Sequence, residues 1–144
     1  MRHVSRQVSQ GQIRALAEFR HQIRTFLHFS EEAAKSAGIE PQQHQLMLAI
    51  KAVEPEAAGI GYLAERLLLR HHSVVGLVDR MEQSGLVKRV RSASDRRIAQ
   101  AILTPKGALI LKKLSVHHRR ELKSAAPALI EHLTTILHDT ETQP

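Results

Sequence analysis

One run, Leu69 to Val87, limits what this chain of 144 residues can become. Val74, Leu77, Val78 and Met81 recur at i, i+3, i+4 and i+7, the apolar stripe of an α-helix. The opposite face reads His72, Val75, Gly76, Asp79, Arg80 and Gln83, with Arg70 and His71 just before it. A helix face that only meets water is usually filled with Glu and Lys in i, i+4 pairs and does not set a valine beside a glycine. This face is shaped to fit something. Ser73 caps the helix or sits in its first turn, and Gly85 after Ser84 supplies the left-handed residue that ends it.

Upstream, Ile60, Leu63, Ala64 and Leu67 share one face of a second short helix, joined to the first by Leu68-Leu69-Arg70. Two short helices with a tight link form a helix-turn-helix. Downstream, Leu86 to Val90 and Ile98 to Leu103 read as strands, and the basic, small-residue stretch Arg91 to Arg97 between them reads as a hairpin tip. The predicted unit is a winged helix.

At this point the chain resembles the MarR family of bacterial transcription regulators. The resemblance rests on Leu63-Ala64-Glu65, on Leu77-Val-Asp-Arg80 followed by Gly85-Leu-Val87, on Asp95-Arg-Arg97, and on Leu103-Thr-Pro-Lys-Gly107, in the family's order and spacing. It runs from about Ile13 to His138. It implies a mainly α fold with a β-hairpin wing, a winged lobe over 39–106, and a helical dimerisation region from 1–38 and 107–144.

Composition agrees with that expectation. Hydrophobic residues make up 42% and aromatics 3%, so the core is built from Leu, Ile, Val and Ala, as where helices pack on helices. A net charge of +7 favours a polyanionic partner, and nucleic acid and an anionic membrane both qualify. No window approaches the roughly 20 apolar residues of a membrane span, and the start, Met-Arg-His-Val-Ser-Arg, lacks an apolar secretion segment, so a soluble cytoplasmic protein is expected. With no cysteine, neither disulfides nor thiol chemistry operate, which excludes the cysteine-based peroxide sensing of one branch of the family.

Residues Met1 to Gly11 are polar and aperiodic and read as a loose arm, either a frayed terminus or a basic contact to phosphate. Ile13, Leu16, Ile23, Phe26 and Leu27 trace a long helix from Gln12 to Lys35, ended by Gly38. Pro41 opens the next helix, and Val53 to Gly59 reads as a surface loop. Thr104 caps a second long helix with Pro105 at its first position, and Ser124-Ala-Ala-Pro127 is expected to break it. Ala128, Leu129, Leu133, Ile136 and Leu137 then continue to His138. The first and last helices carry more apolar surface than so small a chain can bury, which implies a homodimer made by those ends.

Reading duplex DNA in the major groove asks for a narrow helix with short side chains near its start and a cation further along. Arg70, His71, His72 and Ser73 stand at the start, Val75 can meet a thymine methyl, Gly76 lets the backbone approach, and Arg80 reaches phosphate or guanine. The alternative is that His71 and His72 cap the helix and Val75 packs in the core. Many relatives carry a larger, often basic residue where Gly76 stands, so base preference is not inherited from them. In the wing, Arg89, Arg91, Arg96 and Arg97 surround the single Asp95. A carboxylate two residues before an arginine orients its guanidinium. The resemblance implies that Arg97 enters the minor groove and Asp95 steadies it, with Arg96 beside them. It also implies repression, relieved by a small anionic or aromatic effector bound between the lobes. There the corresponding segments supply Arg20, Arg24, His28, His44 and Met47. Pairing of these basic residues across the dimer, or with water, is the competing account.

Ten histidines invite a metal-responsive reading of the same fold, around His117-His118, His21 with His28, and His44. Adjacent histidines diverge by about 100° on a helix, and no His-x-x-x-His pair sits with a carboxylate on one face, so surface histidines and no metal or other cofactor are expected. An enzyme is not expected either: there is no Gly-rich phosphate loop, no cysteine nucleophile and no Gly-x-Ser-x-Gly. The remaining rival is a winged-helix module that contacts protein alone.

Overall fold

A computed structural model describes residues 7–91 and 99–138. Its elements are α1 (Gln10–Ser36), α2 (Pro41–Lys51), a 3-10 turn (Pro55–Ala57), α3 (Ile60–Leu67), α4 (His71–Gln83), β1 (Val87–Arg91), β2 (Ala99–Leu103) and α5 (Pro105–Leu137). They fall into two units, residues 31–117 and the pairing of residues up to 30 with those from 118.

The unit of residues 31–117 is the winged helix. Its core gathers Leu46, Met47 and Ile50 of α2, Leu63 of α3, and Val74, Leu77, Val78 and Met81 of α4, all buried, with Leu86, Val87 and Ala101 of the wing. Each helix contributes one face at the 3–4 residue spacing visible in the sequence. α2 starts on a side-chain cap: the Glu40 N–H donates to Gln43 Oε1 at 2.9 Å, so glutamate serves where a Thr or Ser is usual.

Helix α3 ends on Leu68, whose φ of 55° is left-handed, and the Leu69 N–H donates back to the Ala64 carbonyl at 3.0 Å. This is the turn of the helix-turn-helix. At the end of α4 the same closure uses Gly85 at φ 72°, with the Leu86 N–H on the Met81 carbonyl at 2.9 Å. Glycine adopts that conformation without the Cβ penalty that Leu68 bears.

Strands β1 and β2 pair antiparallel, Val87 opposite Leu103 and Arg91 opposite Ala99. The stretch expected as a plain loop does more than that. After the 3-10 turn, Gly59 bridges to Gln100 beside β2, the Ala101 N–H donates to the Ala58 carbonyl at 3.1 Å, and Gln100 Nε2 donates to the Glu56 carbonyl at 3.0 Å. The segment therefore pairs with the outer edge of the wing, leaving fewer ladder groups unpaired.

The other unit pairs the N-terminal part of α1 with the C-terminal part of α5. α1 begins at Gln10, two residues earlier than expected. Ser9 and Gln12 cap it reciprocally: the Gln12 N–H donates to Ser9 Oγ at 3.1 Å and the Ser9 N–H to Gln12 Oε1 at 2.9 Å. Within this unit His118 is buried, its Nε2 2.8 Å from Ser30 Oγ and its ring edge-to-face with Phe26 and Phe29.

The break expected at Ser124-Ala-Ala-Pro127 does not occur, and α5 runs through Pro127 without interruption. Proline removes one helical N–H and crowds the carbonyl four residues before it. Here Lys123 and Pro127 are both exposed, so water can satisfy the freed carbonyl, and Ala125, Ala126 and Ala128 are strong helix formers.

Candidate nucleic-acid interface

Helix α4 presents most of the sequence-predicted residues along one side. Its N-cap is Arg70, whose carbonyl accepts the N–H groups of Ser73 at 3.0 Å and Val74 at 3.2 Å. Arg70, His71, His72 and Arg80 are exposed, while Ser73, Val75 and Gly76 are half-buried. Neither alternative role holds in full. The cap uses no side-chain hydrogen bond, so the histidines do not make it, and Val75 packs against the core while keeping part of its surface in solvent.

Gly76 lies under Arg80. A methyl group built on it would sit 3.5 Å from Arg80 Nη1, an ordinary van der Waals contact, so the guanidinium folds back along the helix over the glycine. Next to this surface is a cleft of about 580 Å³ lined by Gly59, Gly61, Tyr62, His71, Val75 and Arg89 among others.

Arg89 departs from its expected place in a cationic wing. Its guanidinium donates to Asp79 Oδ1 and, at 3.3 Å, to the Val75 carbonyl, and its backbone N–H donates to Glu82 Oε2 at 2.8 Å. A further approach of 3.9 Å joins Arg89 Nη1 to Glu82 Oε1. The side chain is thus committed to α4. Sequence reading missed this set, although two carboxylates on a helix otherwise offered to a polyanion were a signal that something neutralises them.

The Leu103-Thr-Pro-Lys-Gly107 motif also acquires a structural reason. Thr104 Oγ1 donates to the Gly85 carbonyl at 2.5 Å and accepts the Gly107 N–H at 3.1 Å, while Thr104 N–H reaches the Leu86 carbonyl at 3.1 Å and Lys106 Nζ the Ser84 carbonyl at 3.0 Å. The motif clamps the start of α5 to the end of α4. It therefore fixes α4 from behind.

Asp95, Arg96 and Arg97 lie outside the described residues. Of the effector candidates, Arg20, Arg24 and His28 are exposed on α1, whereas His44 and Met47 are buried in α2, Met47 as a member of the winged-helix core. Among the described residues no group of three or more His, Asp or Glu is placed to hold a metal ion, and no helix is long and apolar enough to cross a membrane.

Residues 37–98, which hold the helix-turn-helix and the first strand of the wing, match the model of the MarR family. That match covers less than half of the chain. Two curated Bacillus subtilis proteins are similar to this chain. One is an organic hydroperoxide resistance transcriptional regulator, 33% identical over 93 residues that cover 56% of this chain and 63% of that one. The other, an uncharacterised HTH-type transcriptional regulator, YsmB, is 31% identical over 64 residues, 44% of each chain. The match thus spans less than two thirds of either relative. Among solved structures, a MepR variant of S. aureus bound to an oligodeoxyribonucleotide is 18% identical with a TM-score of 0.63, covering 84% of this chain and 94% of its own. CouR of Rhodococcus jostii bound to p-coumaroyl-CoA is 19% identical with a TM-score of 0.68, covering 94% and 100%. These likenesses establish a common winged-helix fold.

Proposed function

We propose that this chain is a homodimeric transcription regulator of the MarR family that binds double-stranded DNA sequence-specifically and acts by binding rather than by catalysis. The observation that carries the reading is α4: Val74, Leu77, Val78 and Met81 are buried, while Arg70, His71, His72 and Arg80 stand exposed along the same rod. A helix anchored in this way, with short or cationic groups outward, enters a major groove. The net charge of +7 supports a polyanionic partner, and the MepR variant of the same fold carries an oligodeoxyribonucleotide.

Asp95, Arg96 and Arg97 complete the reading head in this proposal, with Arg97 in the minor groove. A dimer places two such heads on half-sites about 34–36 Å apart, so the target is a pseudo-palindrome. Repression with release by a small anionic or aromatic effector is the accompanying reading, supported by the acyl-CoA thioester held by CouR. Sensing through a thiol of this chain is excluded, because the 144 residues contain no cysteine.

The test is selection of random duplexes by the purified protein, followed by footprinting and a salt series on the recovered sequence. We expect a two-fold symmetric motif protected over two half-sites, and affinity that falls steeply and linearly in log salt. A single unpaired half-site, or affinity indifferent to salt, would refute the proposal and favour a module that contacts protein alone.

A further inference from the structure

We propose that Arg89 is a positioning residue of the DNA-reading head and not itself a DNA contact: it ties the first strand of the wing to α4 and offsets the carboxylates that α4 carries beside its outward residues. The inference rests on the DNA-binding reading above and deepens it.

Three ties converge on this one residue. The guanidinium holds Asp79 and, at 3.3 Å, the carbonyl of Val75, one turn earlier on the same helix. Its main-chain N–H meets Glu82 at 2.8 Å. Arg89 stands opposite Ala101 in the ladder, and the Ala101 N–H is itself turned outward to Ala58, so this is a pair whose main-chain groups face away from each other. Both the main chain and the side chain of Arg89 are thereby available to α4. The planar fork of a guanidinium suits this work, since it donates to two acceptors at once in fixed directions.

The electrostatic argument points the same way. Asp79 and Glu82 flank Arg80, and alone they would meet the phosphates that the outward face must approach. Charges closer than the screening length, about 8 Å at physiological salt, still repel one another. Arg89 sets its guanidinium against both carboxylates, in contact with Asp79 and 3.9 Å from Glu82. Arg89 is 31% exposed against 48% for Asp79, as befits a side chain turned towards the helix and not towards a ligand.

The test is a double-mutant cycle of Arg89→Ala and Asp79→Ala on affinity for a selected duplex, measured across a salt series. Thermal melts check that each variant is folded; if Arg89→Ala does not fold, Arg89→Lys with Asp79→Asn carries the same comparison. We expect Arg89→Ala to weaken binding about ten-fold while the slope of log affinity against log salt stays that of the wild type, because no phosphate contact is lost. The double variant should bind no more weakly than Arg89→Ala, since Arg89→Ala already removes the tie to Asp79, and Arg89→Lys should fall between Arg89→Ala and wild type. A slope smaller by about one unit, single effects that multiply, or an Arg89→Ala affinity within two-fold of wild type would each overturn the positioning role. Wild-type binding is measured first. Its absence overturns the DNA-binding reading, whereas its presence with any of those three results overturns this inference alone.

Discussion

Gly107 has no room for a side chain: a methyl group there would lie 2.1 Å from the carbonyl oxygen of Leu86. That contact is with backbone, which cannot swing aside, so accommodation means moving the start of α5 or the end of α4. Gly107→Ala should therefore destabilise the winged lobe by about 3 kcal/mol, the upper part of the range for overfilling a packed site. Gly61 is its control. It lies in α3 with nothing within 4 Å of an added methyl group, so Gly61→Ala should stabilise by about 0.5–1 kcal/mol through lower chain entropy and better helix propensity. Urea denaturation of both variants reads the contrast, and equal effects would show that the close approach to Leu86 is not rigid. The two glycines look alike in sequence, and only the Thr-Pro-Lys-Gly setting marks Gly107 as special. Even that setting identifies a helix start and not the carbonyl packed against it.

At the scale of elements, α3, α4 and the wing strands were legible to within a residue or so, because periodicity, a short link and a terminal Gly85 all agree. The exposed and half-buried positions of α4 were legible for the same reason. Two things were not. In sequence Arg89 is one cation among four, since the side of a strand that faces a helix ten residues earlier is a tertiary fact. Pro127 in sequence predicts a break, because the exposure of Lys123 that lets the helix continue is equally tertiary. The helix still carries the penalty of an interior proline, so Pro127→Ala should stabilise by about 1–3 kcal/mol. A loss of stability would show that α5 does need its proline. The helix-turn-helix link stores a second cost, since Leu68 is left-handed and 92% exposed. Leu68→Gly removes a strain of about 1–2 kcal/mol from the folded state and gives back part of it as unfolded-chain entropy. We expect a net gain of up to about 1 kcal/mol, visible as a higher melting temperature.

The molecule as a whole is unevenly filled, and the imbalance falls on one unit. The winged lobe buries a contiguous core, whereas the helical pairing buries Ala15 and His118 among the described residues. That pairing leaves Ile13, Leu16, Ile23 and Leu27 of α1 and Leu122, Ile130, Leu133 and Leu137 of α5 exposed, Ile130 at 61% and Leu137 at 79%. Surface of this kind on a lone chain marks a partner, and a second copy presenting the same helices offers a self-complementary one. Placing charge on it should separate the copies without touching the winged core. We expect the wild type to sediment as a dimer and Ile130→Glu with Leu133→Glu as a monomer at the same concentration, without the rise of melting temperature with concentration that an obligate dimer shows. DNA binding supplies the second readout. Two heads on one duplex act with a high effective concentration, so the monomer should bind the full site at least about a hundred-fold more weakly, yet bind an isolated half-site as the wild type does. Equal affinity of the two proteins for the full site would mean that one head suffices, and the symmetric arrangement would have to be given up.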